Sequence, residues 1–252
     1  MDSLALLLSR VQFGFTISFH ILFPTLTIGL SIYIAFLEGM WLKTRNEIYK
    51  KLCLFWAKIF ALSFGMGVVS GIVLSYEVGT NFSRFADATG NVLGPLFTYE
   101  VMTAFFLEAG FLGVMLLGWN RVSPRLHYTA TLMVALGTTL SAFWILSANS
   151  WMQTPAGAEL RDGVFYVQNW MEVVFNPSFP YRLGHMLLAS LLTTTFFVAG
   201  ICAWYVLKGR ETAFAARAFR LAILTAALLA PLQILMGDLH GLNVYKHQPT
   251  KV

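Results

Sequence analysis

The segment Leu93–Trp119 reads LGPLFTYEVMTAFFLEAGFLGVMLLGW. Coiled as an α-helix at about 1.5 Å per residue, it is long enough to cross roughly 30 Å of hydrocarbon. Its only charged side chains are Glu100 and Glu108. A carboxylate near the bilayer centre costs at least about 2.5 kcal/mol, so a helix that keeps two of them must turn them toward protein, water or a cofactor. The two are about 12 Å apart along an ideal helix and some 80° apart around it, so both can line one broad interior face. That spacing suits a proton path better than a metal clamp.

The rest of the chain repeats the pattern. Apolar residues make up 57% of it against 12% charged, and the mean hydropathy is +0.67, far too apolar for a soluble protein to cover itself with polar surface. Further apolar runs occupy Val11–Leu37, Ile59–Tyr76, Tyr128–Gln153, Leu183–Leu207 and Leu221–Gly237. The expected fold is therefore all-α: a polytopic transmembrane helical bundle with six spans, forming one membrane domain over residues 1–252. Cationic residues crowd alternate connections, namely Lys43, Arg45, Lys50 and Lys51, then Arg121 and Arg125, then Lys208, Arg210, Arg217 and Arg220. Under the positive-inside rule these face the cytoplasm, which puts the N-terminus and the long Gln153–Tyr181 connection outside. The basic pI near 9.3 follows from this topology and from contact with anionic lipid. No soluble basic patch with interleaved aromatics suggests nucleic acid. MDSLALLLSR lacks a basic start, so the first span is expected to stay uncleaved. Trp41, Trp56, Trp119, Trp151 and Trp204 fall near span ends, as an interfacial belt would place them. Cys53 and Cys202 lie toward the cytoplasmic ends, where neither a disulfide nor a metal site is expected.

Other polar groups interrupt the apolar runs. Gln12, Thr16 and His20 form a stripe at four-residue spacing in the first span, and His185 opens the fifth. Spacing alone leaves each histidine open between a hydrogen-bonding role and ligation of a haem or metal. Ser63, Gly67, Gly71 and Ser75 form a small-residue stripe expected to let a neighbouring helix approach closely.

Seven blocks, in order and nearly end to end, carry a resemblance: SRVQFGFTISFHILFPTLTIGL (Ser9–Leu30), FWAKIFALSFGMGVVSG (Phe55–Gly71), GTNF (Gly79–Phe82), GPLFTYEVMTAFFLEAGFLG (Gly94–Gly113), SAFWILSANSWMQTP (Ser141–Pro155), AWYVLKGRETAFAARAF (Ala203–Phe219) and GDLHG with QPTK (Gly237–Lys251). Together they resemble subunit I of the cytochrome bd-type quinol oxidases, in its cyanide-insensitive branch. The resemblance implies a respiratory enzyme of the bacterial inner membrane that oxidises quinol at the outer face and reduces O2 to water with cytoplasmic protons. It implies a low-spin haem b, a high-spin haem b, and a haem d or further haem b. Implied partners are a second membrane subunit of the subunit II type and small single-span subunits.

By position, the resemblance makes His20 a high-spin haem ligand and His185 a low-spin haem ligand. It sets Glu100 at the oxygen-reducing haem as ligand or proton donor. Glu108 and Ser141 fall on the proton route, and Lys58 near its cytoplasmic mouth. Lys251 lies in the quinol-binding loop, whose start is residues 238–252. The usual Phe-Gln-Phe-Gly-Thr-Asn-Trp reads Tyr76-Glu77-Val78-Gly79-Thr80-Asn81-Phe82, which adds a carboxyl at Glu77. Ala109 stands where a small hydroxyl often follows the second glutamate. Because the sequence stops at Val252, within that loop, the expectation is a first part of a longer subunit or a short relative completed by another chain. An intramembrane proton-coupled transporter and a non-catalytic b-type cytochrome subunit are the alternative readings. The absence of paired Gly/Pro-interrupted half-helices counts against transport.

Overall fold

The structure, a computed structural model, describes residues 3–210 and 212–251. Six helical segments are long and apolar enough to span a membrane, as the hydropathy pattern predicts. They are α1 (Ser3–Thr44), α2 (Glu47–Thr80), the run α3 (Ser83–Glu100), a π turn (Val101–Phe105) and α4 (Phe106–Leu117), then α5 (Pro124–Trp151), α7 (Phe179–Leu207) and α8 (Thr212–His247). The last helix runs on past Gly237, where the apolar run ends, before a 3-10 turn at Pro249–Lys251.

The boundaries have local causes. Arg45 takes a positive φ of 54°, and the side chain of Asn46 accepts from the Ile48 N–H, so two residues turn α1 back into α2. Ser123 caps α5 through Leu126 N–H with Pro124 in the first turn, and Gly209 at φ 63° stops α7. The Gln153–Tyr181 connection is not wholly irregular. It holds an antiparallel hairpin, β1 (Ala158–Arg161) with β2 (Val164–Val167), and the short α6 (Trp170–Val174). Asp162 and Gly163, both at positive φ, form its two-residue turn. Beside it, the hydrogen bond from Arg161 holds the Glu159 carboxyl below its ordinary range.

Helix α1 is central and packs on α2, α5 and α7, while α8 lies against α7. Lipid is as apolar as leucine, so close packing and hydrogen bonds rather than hydrophobic burial hold such helices together. Gly29 shows how close. A Cβ there would collide with the Ser190 carbonyl and the Thr194 hydroxyl of α7, whose Oγ–H donates to the Leu26 carbonyl at 3.0 Å. The small-residue stripe of α2 meets α1 at Gly67, beside Phe23, and at Gly71, beside His20, whereas Ser75 is exposed. Three of the tryptophans expected in an interfacial belt are core residues: Trp56 is 0%, Trp151 1% and Trp41 8% exposed. Trp56 packs edge-on to Tyr33 and Phe55, and Trp151 to Phe165 of the hairpin. Both cysteines are buried and free.

Candidate functional site

The two glutamates are registered by the π turn. Phe106 N–H bonds to the carbonyl of Val101, five residues back, so the helix holds one residue more than an α-helix of the same length. Eight residues then count as about seven, and the rotation between Glu100 and Glu108 falls from roughly 80° to about 20° in the other sense. Both side chains thus meet α5. Ser141 Oγ donates to Glu100 Oε1 at 2.7 Å. One turn away on α5, Gly137 lies so close that an added Cβ would clash with Glu108 Cγ. Glu108 is 5% exposed and Glu100 half-buried. Thr103, inside the π turn, accepts from Trp144 Nε1 at 2.8 Å, and Trp144 stacks on Tyr99. Ser141, which the resemblance sets on the proton route with Glu108, bonds to Glu100 instead.

His20 is set between α1 and α2. Its Nδ1 is 3.0 Å from Ser70 Oγ, and Ser70 spends its own hydrogen on the Met66 carbonyl at 2.7 Å. The hydrogen shared with His20 therefore comes from Nδ1, which leaves the Nε2 lone pair available to a metal. Gly71 gives the ring room, since a Cβ there would sit 3.2 Å from Cε1. Pro24 has no N–H to offer the His20 carbonyl, so the helix is loosened at this point. The predicted stripe continues along the seam: Thr16 donates to Glu77 Oε1 at 2.7 Å, and Asn81 Nδ2 to Gln12 Oε1 at 3.2 Å.

His185 faces α8. Its Nε2 is 3.0 Å from Gln233 Nε2, its ring is 5.6 Å from that of His240, and Gly237 comes within 3.8 Å measured from an added Cβ. Gln233 Oε1, His240 Nε2 and Arg182 Nε are buried without a hydrogen-bond partner. Buried polar groups are nearly always satisfied, so three orphans around one histidine mark a place built for a polar-edged occupant. Gln233 and His240 were not singled out from sequence; their seven-residue spacing, two turns on one helix face, was the available signal.

Two expected residues stand apart. Lys58 is exposed on α2 and, among the described residues, pairs with neither glutamate. Lys251 donates to Gln153 Oε1 at 2.6 Å and Gln248 Oε1 at 3.1 Å, which ties the end of the described chain to the end of α5. The sequence reading also missed a pair. Glu38 on α1, 0% exposed, accepts from His127 Nδ1 at 2.7 Å and Thr131 Oγ1 at 2.6 Å, both on α5. His127 is 2% exposed and lies 4.2 Å from the Trp119 ring, its Nε2 unpartnered.

Six spans with ionisable groups turned inward at helix seams define a multi-pass membrane protein with polar sites between its helices. The family described as cytochrome bd terminal oxidase subunit I matches residues 8–252. The chain is 37% identical over 249 residues to the cytochrome bd-II ubiquinol oxidase subunit 1 of Escherichia coli (strain K12), covering 97% of this chain and 48% of that one. It is 35% identical over 248 residues to the cytochrome bd ubiquinol oxidase subunit 1 of Bacillus subtilis (strain 168), covering 98% and 53%. The bd oxidase structure from Geobacillus thermodenitrificans superposes with a TM-score of 0.90 at 30% identity, over 97% of this chain and 56% of that one. The chain thus belongs to the cytochrome bd oxidase subunit I family and is a multi-pass protein of the bacterial inner membrane. It spans about half the length of the curated relatives it matches.

Proposed function

We propose that these residues form haem-bearing helices of a quinol:oxygen oxidoreductase, with the α1 start and the Gln153–Tyr181 connection on the outer side. The observation that carries this reading is the cradle around His185, an imidazole amid orphaned polar atoms at the seam of α7 and α8. Among the described residues no three His, Cys, Asp or Glu side chains gather to hold a metal ion. His20 and His185, each an imidazole at a helix seam, would each supply a nitrogen to a haem iron.

His185 would hold a low-spin haem b and His20, through Nε2, a high-spin haem b or d. Glu100 would stand beside the oxygen-reducing haem, and Glu108 would hold a proton for it on the cytoplasmic side. Haem supplies the one-electron and oxygen chemistry once bound. The chain's own part is to orient and to insulate. Ser70 fixes the tautomer of His20, Ser141 holds Glu100 in one rotamer, and the π turn keeps Glu108 in line behind it. Gly137 lets the Glu108 side chain lie flat against α5, out of lipid. Lys251 and residues 238–252 would contribute to quinol binding at the outer surface, and Lys58, exposed on α2, would lie near the cytoplasmic mouth of the proton route. A subunit of the subunit II type, and small single-span chains, would complete the complex.

The test is His185→Ala in the complete oxidase. The low-spin reduced-minus-oxidised signal and quinol oxidation should vanish while high-spin haem is retained. Survival of the low-spin signal would remove the assignment.

A further inference from the structure

Glu77 is a carboxyl that the proposed reaction leaves without a task, at a position where the family pattern has an amide. It is 2% exposed. Thr16 donates to Oε1, while Oε2 is buried and meets no donor. Among the described residues the ion pairs are His127 with Glu38 and Arg161 with Glu159, so Glu77 has no cation of its own. Buried charges are ordinarily paired or next to a metal, because leaving one alone is costly.

The seam that holds Glu77 also holds His20. Thr16 and His20 are one turn apart on α1, and Ser70, which holds His20, is two turns from Glu77 on α2. The carboxyl therefore lies on the order of 6–10 Å from the imidazole. Among the described residues no lysine or arginine joins this ladder: its rungs are Gln12 with Asn81, Thr16 with Glu77, and His20 with Ser70.

We infer that Glu77 is the built-in counter-charge of the haem carried by His20, and that it sets that haem's reduction potential. The inference rests on the assignment of His20 made above. A ferric porphyrin carries a net positive charge that a ferrous one lacks, so a fixed carboxylate nearby favours the oxidised state. Adding the electron (Fe3+ to Fe2+) removes the charge that Glu77 compensates, and the potential is lowered for that reason. A glutamine here would keep the shape and the Thr16 hydrogen bond and lose only the charge.

The experiment is a redox titration of the complete oxidase, followed by absorption, in wild type, Glu77→Gln and His20→Ala. In Glu77→Gln the midpoint of the haem assigned to His20 should rise, while that of the low-spin haem at the α7–α8 seam stays where it was. Glu77→Asp, which keeps the charge, should stay near wild type. Glu77→Ser is a second neutral variant that gives the same reading if the glutamine form assembles poorly. If His20→Ala loses a high-spin haem, the site assignment stands, and an unmoved or lowered midpoint in the neutral variants overturns the counter-charge alone. If His20→Ala keeps every haem, the assignment falls and the inference with it.

Discussion

Replacing His127 by leucine should destabilise the bundle by about 3 kcal/mol, because it strands the carboxyl of Glu38. Two magnitudes compete for this estimate. Hydrogen bonds between membrane helices average roughly 0.6 kcal/mol and reach about 1.7, since the unfolded helices still find partners in the bilayer. Breaking a buried ion pair from one side costs about 3–5 kcal/mol, since a charge is left without compensation. The second applies here. Glu38 lies within two turns of the end of α1 at Thr44, so in the separated helix it reaches the hydrated interface, while in the folded bundle it is 0% exposed. The Thr131 hydroxyl remains bonded to Oε2 in the variant, which places the cost at the lower end of that range. The assay is equilibrium unfolding by denaturing detergent in mixed micelles, comparing His127→Leu, Glu38→Leu and the double variant. The double variant should recover most of the loss, because replacing both partners with apolar groups removes the stranded charge. A single variant within about 0.5 kcal/mol of wild type, or a double variant worse than either single, would refute the reasoning.

Two other outcomes follow from close contacts. Gly137→Ala puts a methyl where Glu108 Cγ lies; it should cost about 1–3 kcal/mol by overpacking, read by detergent unfolding, and slow oxygen turnover more than haem reduction, read by stopped flow, with Gly200→Ala on an open helix face as the control. Ser70→Ala removes the partner that fixes His20's tautomer and should weaken haem retention at that site about 10–100-fold, measured as haem transfer to an excess of a haem-scavenging apoprotein, with the low-spin haem unaffected.

The six spans were legible because a run of apolar residues long enough to cross a bilayer admits little else, and the inward turn of Glu100, Glu108, His20 and His185 follows from the cost of showing them to lipid. What escaped the sequence was register. The π turn at Val101–Phe105 has no composition of its own, so an ideal helix was assumed and the two glutamates were set some 80° apart. The pairing of Glu38 with His127 joins residues 89 apart, each near a helix end where a polar side chain ordinarily meets water. Trp56 and Trp151 illustrate the same limit, for a tryptophan near a span end reads as interfacial until a neighbouring helix or hairpin is known to cover it. The hairpin itself was signalled by Asp162-Gly163 between two apolar-rich stretches, a cue swamped by the length of the connection.

The extra residue in the wide turn means that the alignment of the two carboxyls is counted in chain length rather than secured by any one side chain. Shortening Val101–Phe105 by a single residue would relax it to an ordinary α-turn with every hydrogen bond made. Seven residues of unbroken α-helix turn through the same angle as eight that include the wide turn, so everything from Phe106 to Leu117 would keep its bearing. Glu108 would stay in the groove beside Gly137, and the helix would lose only the bulge. A one-codon deletion there would thus keep the two carboxyls in line, whereas a change that drove the same residues into a regular α-turn would swing Glu108 about 100° around the axis and disconnect them.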